Sequence, residues 1–299
     1  MSTLLSIVVC TYNRSEWLVG CLSSLELQCE NMPVEVLVVD NNSNDETAEV
    51  VVWFRERSPK FKYMLESQQG LSYARNRGFR EAAGEYVAYI DDDARVCPGW
   101  IQAILAFFEK YPDATGVGGQ HSAFSSVPIP KWFPREYGSR SLGQETRLLQ
   151  DKEWISGTNM VFRKNALVEA GGFDPAIGMN GNKLSYGEET QLILRMRDRG
   201  MKVYYCAEMR VEHAILPYKL TLRWLLKSNF ANGYDGVNTF NYSGSVSSYL
   251  PTLAESIKQA LLLFIKSEEK NFKARIYRST RKLVRDLGFF VGLLGGRFK

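Results

Sequence analysis

A chain of 299 residues is long enough for one large α/β domain with an appendage, and 45% hydrophobic with 23% charged residues is an ordinary globular composition. The net charge of +4 is too small to point to nucleic acid, and no helix-turn-helix or single-strand-binding signature accompanies it. Five cysteines, odd in number and without a C-x-x-C pair, argue against both a disulfide framework and a zinc site.

In chain order, Leu4 to Cys10 reads as a strand, Glu16 to Leu27 as a helix, Val34 to Asp40 as a strand and Glu46 to Arg57 as a helix. Ser43 with Glu46 fits a capping box for that second helix. Phe61 to Glu66 and Ser72 to Ala82 repeat the cycle, and Tyr86 to Asp91 is a fourth strand. This βαβα order predicts a mainly parallel sheet with helices on both faces. Pro98 suits the first turn of a helix ending near Lys110. From His121 to about Lys152 the periodicity dissolves into a segment with Pro128, Pro130 and Pro134 among Trp132, Phe133 and Tyr137, the kind of long aromatic loop that is usually functional. Patterning resumes over Trp154 to Phe162, with helices around Lys164 to Ala170 and Glu188 to Arg199 and a strand over Lys202 to Tyr205.

From about Leu220 the chain reads as helical pieces, the last one basic (Lys273, Arg275, Arg278, Arg281, Lys282, Arg285) and ending in the apolar run Leu287 to Leu294. Basic residues beside Phe and Leu suit an interfacial helix, or equally a helix whose apolar side packs on its neighbours. The opening apolar run is too short for a signal peptide, and no stretch reaches the roughly 18 residues of a spanning helix. The expected location is cytoplasmic, with peripheral contact at the inner face of the cell membrane through the C-terminal helices. The expected domains are 1–215, in two halves that meet near residue 120, and a helical extension over 216–299.

The strand Tyr86 to Ile90 runs straight into three carboxylates, Asp91, Asp92 and Asp93. Side chains alternate at a strand end, so Asp91 and Asp93 can share a side while Asp92 points away. Clustered carboxylates need protonation, a cationic partner or a metal, and a hard divalent ion that also holds phosphate oxygens fits this spacing.

Five motifs follow in fixed order: Val8 to Arg14 (V-V-C-T-Y-N-R), Val38 to Ser43 (V-V-D-N-N-S), Gly70 to Gly78 (G-L-S-Y-A-R-N-R-G), the Asp91 to Asp93 triplet, and Tyr186 to Thr190 (Y-G-E-E-T). The ordered set, spanning roughly Leu4 to His213, closely resembles the family 2 glycosyltransferases of GT-A fold. The resemblance implies a Rossmann-like α/β domain that moves a sugar from a nucleotide-sugar, with a UDP-sugar as first expectation, to a saccharide or lipid-linked saccharide hydroxyl, with inversion and with Mn²⁺ or Mg²⁺. It places Thr11, Tyr12, Asn13, Arg14, Asp40, Gly70, Arg75, Asn76, Asp91, Asp92 and Asn159 at the sugar-nucleotide. It makes Asp93 the most direct metal ligand, with Asp91 at the ribose, the metal or its water shell and His213 as a further ligand, and which of the three carboxylates does what is left open. Glu189 is implied as general base, where aspartate is more usual, with Glu188 as fallback. Trp154, just before Ser156-Gly157-Thr158-Asn159, is a candidate platform for an acceptor ring. Arg223-Trp224 resembles the end of the Q-x-x-R-W motif of processive synthases, but Leu220 holds the glutamine position, which favours single addition. The alternative reading is a non-catalytic sugar-nucleotide binder that keeps the fold. The donor sugar, the acceptor and the oligomeric state are not legible.

Overall fold

The computed structural model describes residues 3–151 and 153–295, so Lys152 at the end of the proline-rich segment and the last four residues of the extension lie outside the described residues. The chain divides into two compact units. One comprises Met1–Phe124, Gly138–Ala176 and Glu189–Ala214; the other comprises Ser125–Tyr137, Ile177–Glu188 and Ile215–Lys299. The second unit therefore takes up two excursions of the chain besides the expected extension.

The first unit contains strands β1 (Leu5–Thr11), β2 (Val34–Asp40), β3 (Phe61–Leu65), β4 (Tyr86–Asp91), β5 (Ala94–Val96), β6 (Gly116–Phe124), β7 (Arg147–Leu148), β8 (Met160–Arg163) and β9 (Val203–Ala214). Its helices are α1 (Ser15–Cys29), α2 (Thr47–Arg57), α3 (Leu71–Glu81), α4 (Trp100–Lys110) and α5 (Lys164–Glu169), and α6 (Glu188–Asp198) joins it from Glu189 onward. The strand order is β3-β2-β1-β4-β8-β6-β9-β5, with β7 on β9. The first four strands are parallel, and β8 inserts antiparallel between β4 and β6, giving a mixed, mainly parallel sheet flanked by helices.

Alternation along the strands explains why both faces are covered. Ile7, Val9, Val36, Val38, Ala88 and Ile90 pack into one core with α1, α2 and α4. Val8, Leu37, Val39, Val87 and Tyr89 pack into another with α3, α5 and α6. Each fully buried Val, Leu or Ile side chain contributes about 1.5–3 kcal/mol, so neither face tolerates a register slip. All five cysteines are thiols, Cys21, Cys29 and Cys206 within these cores.

Several local expectations are corrected. The capping box does not form: the Ser43 hydroxyl accepts from Asn13 N at 2.9 Å, and Asp45 accepts from Thr47 N at 3.2 Å instead. Pro98 precedes the helix, since α4 begins after Gly99, a left-handed residue at φ +84°. The irregular segment starts only after Phe124, because β6 occupies Gly116–Phe124. Gly116, Gly118 and Gly119 hid that strand, as glycine has little strand preference. Between Trp154 and Phe162 only the end is strand, and the Lys202 strand continues to Ala214 because β6 and β5 pair along it. β5 and β7 were too short to read.

The second unit is built on α7 (Leu222–Thr239), α8 (Val246–Lys266) and α9 (Phe272–Gly295). Helices α7 and α9 meet through glycines: a Cβ at Gly233 would stand 1.8 Å from the Arg285 carbonyl, and one at Gly288 would stand 2.0 Å from that of Phe230. The two excursions dock on the same helices. Trp224 Nε1 donates to the Tyr137 hydroxyl at 2.7 Å, Arg281 lies 3.7 Å from Glu136, and Tyr186 N donates to Asp235 at 2.9 Å. Ala274, Tyr277 and Leu293 of α9 are buried, while Leu287, Val291 and Leu294 stay 37–40% exposed. No helix among the described residues is long and apolar enough to cross a membrane.

Candidate active site

β1 and β4 run side by side with Cys10 opposite Asp91, yet the chain leaves β1 toward β2 and reaches β4 from the far side. Their carboxyl ends therefore open a crevice where the order reverses, the usual ligand position in such sheets. Thr11 to Arg14 line one side of it and Asp91 to Asp93 the other.

The loop after β1 is held by the loop after β2. Asn13 adopts φ +51°, which asparagine tolerates, and its Oδ1 accepts from Asn44 N at 2.8 Å. Asn41 donates to the carbonyls of Glu66 and Gln68 at 3.1 and 2.7 Å and accepts from Gly70 N at 2.7 Å, fixing the start of α3. Gly70 itself sits at φ +143°. Asp40 accepts from Ser43 N and from the Tyr63 hydroxyl, both at 2.8 Å, so it shapes the turn. Burial, then the hydrogen bond to Asp40, push the Tyr63 hydroxyl up to about 12.

The carboxylates meet three cations or cation-forming groups. Arg14 Nη1 lies 3.1 Å from Asp92 Oδ1 and 3.2 Å from Asp93 Oδ2. Arg75, buried beneath, has Nη2 at 3.6 Å from Asp91 Oδ1 and its guanidinium 5.3 Å over the Phe173 ring. His213 Nε2 stands 2.9 Å from Asp93 Oδ1 and 4.0 Å from Asp91 Oδ2. Asp91 and Asp93 thus converge on the imidazole while Asp92 turns to Arg14. Burial pushes the Asp92 carboxyl up to about 6 against the pull of Arg14, with Asp93 adding to the rise and a Thr11 hydrogen bond opposing it.

His213 arrives by β9. That strand pairs with β6 in one register to Gly119↔Cys206 and in another from Gln120↔Arg210, leaving Ala207, Glu208 and Met209 bulged. The fully buried Asn159 closes the bulge, donating to Gln120 O and Met209 O at 2.9 Å each and accepting from Trp100 Nε1 at 2.9 Å. A Cβ at Gly119 would fall 2.4 Å from that amide. Beyond the bulge His213 lies opposite Ala94, and Ala214 N donates to Asp93 O at 2.9 Å. Asn159, expected at the sugar-nucleotide, is therefore committed to the frame. Asn76 is too: its amide exchanges two 2.8 Å hydrogen bonds with the Phe173 backbone.

His121 was not assigned a role from sequence. Its ring stands perpendicular to that of His213 with centroids 5.9 Å apart, and burial, then the charges of His213 and Arg140, hold its imidazolium down at about 4. Neither was Arg140, whose guanidinium lies 4.4 Å over the exposed Trp154 ring and donates to Trp154 O at 2.8 Å. Burial lowers the Arg140 pKa, and the charges of Glu153 and Glu189 raise it. Glu188 is buried and its carboxylate would lie 2.9 Å from a Cβ at Gly178. Of Tyr12 the structure shows only partial burial.

Asp91, Asp93 and His213 offer ligand atoms all within 4.8 Å of one another. Two ligands of one ion sit about 3 Å apart when each bond is about 2.1 Å, close to the His213–Asp93 spacing. Two carboxylates with an imidazole suit Mn²⁺ as well as or better than Mg²⁺, which favours oxygen donors. The residues present fit the group.

The glycosyl transferase family 2 model matches residues 6–170, more than half of the sequence. The chain belongs to this family. A glucosyl-dolichyl phosphate glucuronosyltransferase of Haloferax volcanii is 29% identical over 77% of this glycosyltransferase and 75% of its own length. A Campylobacter jejuni β-1,3-glucosyltransferase, named for a GalNAc(5)-diNAcBac-PP-undecaprenol substrate, is 32% identical over 34% of the chain and only 33% of its own. Among solved structures, the mannosyltransferase PcManGT of Pyrobaculum calidifontis, in complex with GDP-Man and Mn²⁺, superposes with a TM-score of 0.67 at 18% identity, covering 99% of this chain and 88% of that one. Staphylococcus aureus TarS with UDP gives 0.56 at 16% identity over 99% and 91%. These likenesses establish the GT-A fold.

Proposed function

We propose that this glycosyltransferase moves a sugar with inversion from a nucleotide-sugar, a UDP-sugar in the first instance, to a hydroxyl of a saccharide or lipid-linked saccharide in cell-surface glycan assembly. The convergence of Asp91, Asp93 and His213 at the β1/β4 crevice carries the reading. We assign Thr11, Tyr12, Asn13, Arg14, Asp40, Gly70, Arg75 and Asp92 to the nucleotide and its diphosphate, with Asp91, Asp93 and His213 holding Mn²⁺ or Mg²⁺. The bound ion would supply charge stabilisation to the departing nucleoside diphosphate.

The chain's own part is positional and acid–base. Arg14 and Arg75 hold the carboxylates in place, Arg14 against Asp92 and Asp93 and Arg75 against Asp91. Glu189, in the first turn of α6, sits where the helix dipole favours a carboxylate, ready to accept a proton. It takes the proton of the acceptor hydroxyl; the freed oxygen pair bonds the anomeric carbon; the bond from that carbon to the diphosphate oxygen breaks, and its electron pair leaves with the nucleotide. Glu188, more buried, is the fallback base. Trp154, 41% exposed with Arg140 over its ring, is the proposed platform for an acceptor ring. Residues 1–215 are the proposed catalytic domain and 216–299 an extension that meets the membrane carrying a lipid-linked acceptor. The glycosyltransferase relatives, one named for a dolichyl phosphate substrate, support this reading over a non-catalytic binder.

The test is thermal-shift screening of UDP, GDP and CMP with their sugar conjugates, each with Mn²⁺, Mg²⁺ or EDTA. A ligand at 100 times its Kd adds about 2.7 kcal/mol. Metal-dependent stabilisation by one nucleotide class, lost in Asp93→Asn, is the expected result; indifference of the folded protein to every nucleotide would sink the reading.

A further inference from the structure

The basic helix singled out from sequence commits part of its apolar surface to packing. That helix, α9, is packed against α7 through Gly288 and Gly292 and buries Tyr277 and Leu293. Helix α8 does the reverse. Of its 21 residues only Ser256 and Ala260 are buried, one turn apart on a single side. Its larger apolar residues face outward: Leu250 is 50% exposed, Ile257 45%, Leu261 60% and Ile265 72%. Their spacing of seven, four and four places them in one stripe along the helix. At about 1.5 Å per residue the stripe runs roughly 22 Å. Leu262, one step round the helix, is also exposed, as are Leu263 on the opposite side and Phe272, the first residue of α9. An exposed apolar surface of this extent on a folded chain marks an interaction site.

The charges around the stripe choose the partner. Lys258, 70% exposed and 4.0 Å from Glu255, flanks the stripe beside Ile257 and Leu261, and Lys266, Lys270 and Lys273 are exposed around the turn that follows. From Val246 to Asp286 the sequence carries nine lysines and arginines against four acids. A straight apolar stripe edged by cations is complementary to the headgroup and acyl boundary of an anionic bilayer, which takes the leucines below and the ammonium groups at the phosphates. A second copy of the chain would present the same excess positive charge and repel it. Helix α8 falls short of a membrane span, so it lies in the surface plane and does not cross.

We propose that α8 is a membrane-surface anchor, inserting Leu250, Ile257, Leu261 and Ile265 into anionic phospholipid with Lys258 and Lys266 at the headgroups. This rests on the lipid-linked acceptor reading only for its purpose, since the anchoring chemistry is a property of α8. The test is co-flotation of the full chain with phosphatidylcholine vesicles, with and without about one-third phosphatidylglycerol. The wild-type chain is expected to float with the anionic vesicles and to be released by high salt, as a charge-assisted interaction requires. Leu261→Glu with Ile265→Glu should weaken flotation about tenfold or more, and Lys258→Glu with Lys266→Glu should abolish the preference for anionic vesicles. These positions are exposed, so nucleotide-dependent thermal stabilisation should be unchanged in both double variants; that measurement reports separately on the donor site. Wild-type protein that stays out of anionic vesicles, or a Leu261→Glu/Ile265→Glu variant that floats as well as wild type, overturns the proposal. So does a wild-type dimer that this variant converts to monomer while neither binds vesicles, since α8 would then be a self-association face.

Discussion

His213 Nε2 lies 2.9 Å from Asp93 Oδ1, although the two residues come from β9 and from the turn after β4. β4 and β9 are not neighbours in the sheet, and the short edge strand β5, which follows Asp93, pairs Ala94 with His213. Asp93→Asn and His213→Ala should each abolish Mn²⁺-dependent stabilisation by nucleotide and lower turnover by about 10²–10³, the usual cost of removing one stabiliser of developing charge. Calorimetric titration of Mn²⁺ in the presence of UDP measures the binding half directly.

Glu189→Gln keeps the side-chain length and removes the basic function. Turnover should fall by about 10²–10⁴ while nucleotide-sugar affinity stays at the wild-type value. Loss of activity with unchanged donor binding identifies the base; an equal loss in Glu188→Gln alone would move the assignment one residue.

Asn159→Ala removes three hydrogen bonds at once and leaves Trp100 Nε1 and two carbonyls in a buried bulge without partners. Each such group costs about 1–3 kcal/mol, so a loss on the order of 3 kcal/mol is expected from chemical denaturation. Because the bulge sets the register that delivers His213, Mn²⁺ affinity should weaken as well. Asn159→Asp, of equal shape, separates shape from amide donation.

Trp154→Ala should raise the acceptor KM about tenfold, a typical loss for one stacking contact, and leave donor affinity alone. Trp154→Phe should restore most of the loss.

The pH dependence of stability carries a signature of His121. Its folded pKa of about 4 lies below the ordinary 6.5, so the unfolded chain takes up the proton first. The contribution is fully present above 6.5, is lost as pH falls toward 4, and reaches about 3 kcal/mol. Asp92 acts oppositely: its carboxyl, raised from 3.8 to about 6, favours the folded state at low pH and loses that contribution as pH rises through 6. Denaturation of wild type and His121→Gln across pH 4–7 isolates the His121 contribution, and identical slopes would refute it.

Much of the first 110 residues was legible because the signals there are local. Strands with period 2 and helices with period 3.6 declare themselves within a few residues, and β2 and β4 fall on their expected bounds. From Tyr111 onward the reading failed where structure depends on distant partners. β6 contains three glycines and is a strand because β8 and β9 flank it; residues 125–137 are irregular by themselves and are ordered by Trp224 and Arg281. The D-N-N-S motif was visible, yet nothing local showed that Asn41 would tie the β2 loop to Gly70.

By itself the sequence determined the chemistry available: three carboxylates at a strand end, with alternation already sending Asp91 and Asp93 one way and Asp92 the other, and arginines spaced to answer them. The tertiary structure decided which groups meet. Sheet order and one bulge carry His213 to Asp93; the same packing turns Asn76 and Asn159 inward, where buried amides must find partners, and leaves the leucines of α8 outside. Local spacing fixes direction within one element, but proximity between elements is set by the long-range pairings that close the sheet and by the side chains that fill the space between them.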